Sequence, residues 1–108
     1  MAAATSVVVE RGTKQFQGMF SEMWKATGTL NPDSLADGAG SSDTITVPGV
    51  ALGDIVIGFS FGVSLAGVTA TAYVSAADTV TIRVQNESAT NPLDLASSTI
   101  RVVVGRLA

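Results

Sequence analysis

The side chains able to do acid–base chemistry at neutral pH are few. This 108-residue sequence contains no histidine and no cysteine, and it carries nine carboxylates and six basic residues. Without histidine the usual general base and the commonest metal ligand are missing. Without cysteine there are no disulfides, no thiolate zinc sites and no thiol nucleophile. A serine nucleophile would then need a lysine as its base, and Lys14 and Lys25 both sit in the N-terminal segment. No GxSxG elbow, phosphate-binding loop or GxGxxG turn occurs. Paired carboxylates could hydrolyse a glycoside, because seven acids lie beyond residue 30. Their contexts are turns, however: Asn31-Pro32-Asp33, Asp37-Gly38, Gly53-Asp54 and Ala77-Asp78. There a carboxylate ordinarily bonds nearby backbone. The segment Asp37-Gly38-Ala39-Gly40-Ser41-Ser42-Asp43 could wrap a calcium ion, but it lacks the Asp/Asn alternation and terminal Glu of an EF-hand loop. The expectation is a protein that is not an enzyme and has no metal or cofactor.

Composition narrows the partners. Charged residues make up 14% and apolar ones 46%, which is too apolar for disorder and low in charge for a monomer's surface. Such a chain is expected to hide surface in an assembly. The net charge is −3, with no clustered basic patch, so no nucleic-acid partner is expected. No Lys or Arg occurs between Lys25 and Arg83, while Asp33, Asp37, Asp43, Asp54 and Asp78 lie in that interval. The middle of the chain is acidic and each flank sums to +1. The ordinary reading is loop-tip carboxylates on a solvated face. Ile55–Ala77 is 23 residues without a charge, with Gly58 and Gly62 at GxxxG spacing. It is broken by small polar residues and lacks basic anchors, so strand–loop–strand is expected and a membrane partner is not. The N-terminus lacks a basic n-region and carries Glu10 too early for a signal peptide.

The elements that would position these residues are strands. Val68, Ala70, Ala72 and Val74 alternate with Thr69, Thr71 and Tyr73, and Val80, Ile82 and Val84 alternate with Thr79, Thr81 and Arg83. Joined by Ser75-Ala76-Ala77-Asp78, they predict a hairpin with one buried face. Tyr73 is then expected outside. Thr27–Leu30, Thr44–Val47 and Thr99–Arg106 are further strands, the last with Ile100, Val102 and Val104 inward and Arg101 and Val103 outward or onto a neighbour. Ile55–Phe61 is apolar on both faces at first, which predicts a central strand; Phe59 and Phe61 share a face and are expected in the core. Turn signals every 8–12 residues give an all-β fold, an antiparallel β-sandwich or jelly-roll-like domain of about six strands over residues 28–108. Residues 1–27 read as an N-terminal arm. Val7-Val8-Val9 is a short extended segment. In Thr13–Lys25, Phe16, Met19, Phe20, Met23 and Trp24 fall at i, i+3, i+4, i+7 and i+8, which favours a short helix over 13–25. A strand would instead place Phe16, Phe20 and Trp24 on one face together with Glu22. The segment holds the only Trp and two of the four Phe. It either plugs one end of the sandwich or docks on another chain.

Three stretches in order carry a resemblance: Thr46-Val47-Pro48-Gly49-Val50-Ala51-Leu52-Gly53-Asp54, then Val74 through Asn86, then Thr99-Ile100-Arg101-Val102-Val103-Val104. Over roughly residues 28–106 the chain resembles a small β domain of tailed-bacteriophage virion proteins, notably head decoration (cement) proteins and some fibre-like proteins. The resemblance implies a virion structural protein on the outer surface of the capsid. Such a protein binds over capsomer junctions with the major capsid protein as partner and forms a homo-oligomer, a trimer being favoured. It brings no catalytic residues. The first 27 residues lie outside it. Their apolar side chains Val7, Val8, Val9, Phe16, Met19, Phe20, Met23 and Trp24 are the candidate partner contacts. Two alternatives stay open: a fibre-tip or host-glycan recognition module using the loops Asn31–Asp43 and Ser88–Ser98, and a neck or tail assembly component.

Overall fold

The computed structural model describes residues 3–12, 19–65, 67–86 and 94–107. Seven strands run in chain order: β1 Thr5–Gly12, β2 Phe20–Leu30, β3 Gly40–Thr46, β4 Ile55–Phe61, β5 Val68–Ala76, β6 Thr79–Asn86 and β7 Ser98–Leu107. They form two antiparallel sheets, of four strands in the order β1-β2-β7-β4 and three in the order β3-β6-β5. The fold is thus all-β and compatible with a sandwich, as the alternation predicts, with seven strands where about six were expected. The hairpin and the faces of β5, β6 and β7 fall where the sequence places them: Val68, Val74, Val80, Ile82, Val84, Ile100, Val102 and Val104 are buried, while Arg101 and Tyr73 are exposed.

Two expectations are corrected. The described part of the segment 13–25 is a strand, not a helix: Phe20–Lys25 opens β2, and residues 13–18 lie outside the described residues. The apolar spacing there fits both periods. Tertiary pairing decides between them, because β2 lies between β1 and β7 and pairs with β7 along its whole length. The described strands of the N-terminal segment, Thr5–Gly12 and Phe20 onward, belong to the four-stranded sheet. Trp24, Ala26 and Leu30 point into the core and are essentially inaccessible. The second correction concerns β4, which is an edge strand and not a central one.

One main core fills the space between the sheets, with Trp24, Leu30, Ile45, Val47, Val50, Ile82, Ile100, Val102 and Val104 among its buried members. Val7, Val9, Phe59 and Phe61 pack at its margin, with the Phe59 and Phe61 rings edge-on at 6.4 Å. A second cluster of Leu35, Val68, Val84 and Leu95 closes the opposite end. There the buried Asn86 donates its side-chain Nδ2–H to the Leu35 carbonyl at 3.0 Å, and its backbone carbonyl accepts from the Gly38 N–H. These bonds tie loop 35–39 down. One flank of the sandwich is bridged, since Ala3 pairs with Thr44 and the Ala4 N–H donates to the Thr44 carbonyl at 2.7 Å. On the other flank β4 and β5 are both edge strands of their sheets.

Candidate functional site: an apolar outer face beside a polar clasp

The residues with the most chemistry meet at one end of the sandwich. Arg106, near the end of β7, turns inward. Its Nε and Nη2 donate to the two carboxylate oxygens of Asp54, each at 2.9 Å, and Nη2 also donates to the Gly49 carbonyl at 3.0 Å. Glu22 lies 4.0 Å from the same guanidinium, whose centre sits 5.2 Å from the centroid of the Trp24 ring. Asp54 further accepts the Ala51 N–H at 2.8 Å on its side chain, capping the turn that its own backbone N–H closes by donating to the Ala51 carbonyl at 3.1 Å. Asp78 works from the other sheet. It adopts a positive φ of 61° at the tip of the β5–β6 hairpin, its side chain accepts the Gly49 N–H at 2.8 Å, and its own N–H and carbonyl bond to Val50 and Val47. The stretch 47–54 is clamped between the hairpin and β7.

This arrangement leaves the carboxylate of Asp54 no role as a base. The hydrogen bonds from Arg106 hold its carboxyl below the ordinary range, outweighing the opposing effect of burial, and the Ala51 N–H adds in the same direction. Arg106 is shifted up by the same contact. A bidentate pair of this kind fixes geometry and ties up the acceptor lone pairs. The motif residues around Pro48-Gly49 and Gly53-Asp54 and the Asp78 turn therefore serve the scaffold. The candidate calcium segment does not form a loop either: Gly40–Asp43 belongs to β3 and Asp43 is buried in the interior. Among the described residues no group of three acids could hold a metal ion.

The residue after Arg106 goes the other way. Along the outer face of the four-stranded sheet the register sets up transverse rows. One contains Val8, Thr27, Arg101 and Ser60; the next contains Glu10, Lys25, Val103 and Gly58; the third contains Met23, Gly105 and Ile55. Phe20 lies opposite Leu107 beyond these. The first two rows are mostly polar, with Lys25 and Glu10 paired at 3.5 Å. The last two are apolar and uncharged. Ile55 is 43% exposed, Ile57 48% and Leu107 58%. Met19, just before β2, and Leu52, on the turn before β4, are exposed at the same end.

Two backbone features build this face. The register slips between Val56 and Gly58, so Ile57 is an extra residue in the ladder. Strict alternation would put Ile55 and Ile57 on the side of Phe59 and Phe61. The bulge lets the first pair face out and the second pair face in. Gly105 supplies the floor, because a Cβ there would lie 2.8 Å from the Phe20 ring and 2.9 Å from the end of Ile57. Both side chains rest on bare backbone.

The structure separates the candidate contact residues. Trp24 is 1% exposed within the protomer and belongs to the core. Val7 and Val9 are partly buried and pack at the core margin. Val8 points outward in the polar region, and Phe16 lies outside the described residues. Met19, Phe20 and Met23 stay at or near the surface at the apolar end. The sequence reading missed Ile55, Ile57 and Leu107, while Val103 was expected outward or against a neighbour. The available signal was the two-faced apolar run at Ile55-Val56-Ile57, taken there as evidence for a central strand. Of the loops offered for glycan binding, residues 88–93 lie outside the described residues, and Leu35 and Leu95 are buried. Among the described residues no helix is long and apolar enough to cross a membrane. No protein-family model, curated protein or solved structure matches the chain.

Proposed function

We propose that this protein is a virion structural protein, a capsid decoration (cement) protein that attaches to the outer surface of a phage head over capsomer junctions. The carrying observation is the uncharged apolar end of the outer sheet face, with Ile55, Ile57 and Leu107 about half exposed on a rigid sheet. A contiguous apolar surface on a small β domain marks a contact with another macromolecule. Two further points support the reading. The clasp consumes its carboxylate and guanidinium internally, so the richest polar cluster has a scaffold role. The sequence resemblance to phage head decoration proteins gives the partner, the major capsid protein. Attachment then works by covering apolar area at about 25 cal/mol per Å², multiplied over many copies on one shell.

The test is cosedimentation of the full chain with phage head shells assembled from a major capsid protein and lacking decoration protein. The chain is expected in the pellet, retained at high salt, with the Ile55→Asp/Ile57→Asp double variant left in the supernatant. A wild-type chain that stays in the supernatant overturns the assignment. Capture on a glycan array that is lost on substitution in the loop Asn31–Asp43 overturns it in favour of host recognition.

A further inference from the structure

On the flank opposite the Ala3–Thr44 bridge β4 passes close to β5, but among the described residues no backbone ladder joins the two edges. A sheet edge presents a row of backbone N–H and C=O groups that another strand can pair, and proteins commonly blunt such edges with charges, proline, bulges or a covering segment. The edges on the bridged flank carry such devices: β1 holds Glu10, and β3 is tied to residues 3 and 4. The β4 edge is interrupted by the Ile57 bulge. β5 has none of these over Val68–Val74. It has no charged residue and no proline, it pairs among the described residues with β6 alone, and its register irregularity lies beyond Val74.

We infer that β5 pairs antiparallel with β5 of a second copy of this chain, about a two-fold axis at Thr71, joining two three-stranded sheets into one of six. The occupant follows from the sequence of the strand itself. In the register centred on Thr71, Val68 meets Val74 of the second copy and Ala70 meets Ala72 on the inner face. On the outer face Thr69 meets Tyr73 and Thr71 meets Thr71. Every pair is matched in size on the buried side, and the outer pairs are an aromatic with a β-branched residue and two threonines, combinations that favour cross-strand pairing. No charge opposes its own copy anywhere along the strand. A self-matching patch of this kind gives an isologous two-fold contact, whereas a closed trimer needs two different surfaces. The pairing does not depend on attachment to a shell.

The experiment uses the full chain, which has no cysteine of its own. Directly opposed Cα atoms in an antiparallel pair lie about 4.5 or 5.5 Å apart, within disulfide reach. Thr71→Cys is expected to give one disulfide-linked dimer on mild oxidation. Thr69→Cys alone is expected to give none, and the Thr69→Cys/Tyr73→Cys double variant to cross-link again. In sedimentation, Thr71→Lys is expected to weaken the dimer about tenfold or more through opposed like charges. Mixing it with Thr71→Glu restores a heterodimer, which a misfolded variant would not do. A monomeric wild-type chain overturns the inference, as does a trimer indifferent to Thr71→Lys or cross-linking that ignores the register.

Discussion

Arg106 and Leu107 are neighbours in the chain and opposites in environment. Arg106 turns into the clasp, where its guanidinium reaches Asp54, Gly49 and the Trp24 face. Leu107 turns onto the outer face, more than half exposed beside Phe20, Ile55 and Ile57. The clasp looks like a site and is saturated. The apolar face looks like misplaced core and is left uncovered by the described residues beyond its own side chains. Polar atoms inside a fold must find partners within it, because leaving one unmade costs roughly 1–3 kcal/mol. Apolar atoms on a surface incur a smaller cost in water, and a second body can remove it. In this protein, therefore, charge clustering marks what holds the protomer together, and exposed apolar area marks where something else belongs.

That contrast predicts unequal responses to substitution. The largest effect is expected inside. Trp24→Ala removes the largest fully buried side chain and should cost about 3–5 kcal/mol, measured by denaturant unfolding. A loss below about 1 kcal/mol would mean that the aromatic faces out and acts as a contact residue after all.

The clasp comes next. Asp54→Ala deletes two charge-assisted bonds and the cap on Ala51, at an expected cost of about 2 kcal/mol. Its pH dependence has a defined sign. The Asp54 carboxyl is depressed in the folded protein, so its contribution is complete above the unfolded value of about 3.9 and is lost as pH falls through the lower folded value. Melting temperatures of wild type and Asp54→Ala should therefore differ by a constant amount near neutrality and converge below about pH 4. Curves that stay parallel into acid would show that the pair contributes nothing through ionisation.

Most of the fold was legible because alternation is a local signal. The β5–β6 hairpin, the inward set of β7 and the exposed Tyr73 follow from period two alone. The N-terminal segment was not legible in the same way. Met19, Phe20, Met23 and Trp24 satisfy a helical stripe, and only pairing with β1 and β7, distant or beyond a loop in sequence, makes the segment a strand. The site was half legible for a related reason. The sequence offers the apolar residues of that segment as one set, but a strand sends Trp24 in and Met23 out where a helix would keep them together. Ile55 and Ile57 were read as core because a two-faced apolar run ordinarily means burial on both sides. Nothing local announces a bulge at Ile57 that keeps the outer side apolar and uncovered. The partners of Arg106 were equally hidden, since Asp54 lies 52 residues away.

The smallest effect on stability and the sharpest on function are expected at Ile57. It is about half exposed and rests its tip above Gly105, so Ile57→Ser removes only the half that the protomer buries. Unfolding free energy should fall by about 1 kcal/mol. If the face is covered in the assembly, the remaining half of the side chain is buried there, and its loss should weaken attachment by about 1 kcal/mol per copy, roughly fivefold. Denaturant unfolding and shell cosedimentation on the same preparation read the two quantities together. A loss in stability with attachment unchanged would mean that Ile57 supports the fold and that the outer face is no contact. A loss in attachment as well, on protein that remains folded, would place the boundary between scaffold and contact surface at the bulge in β4.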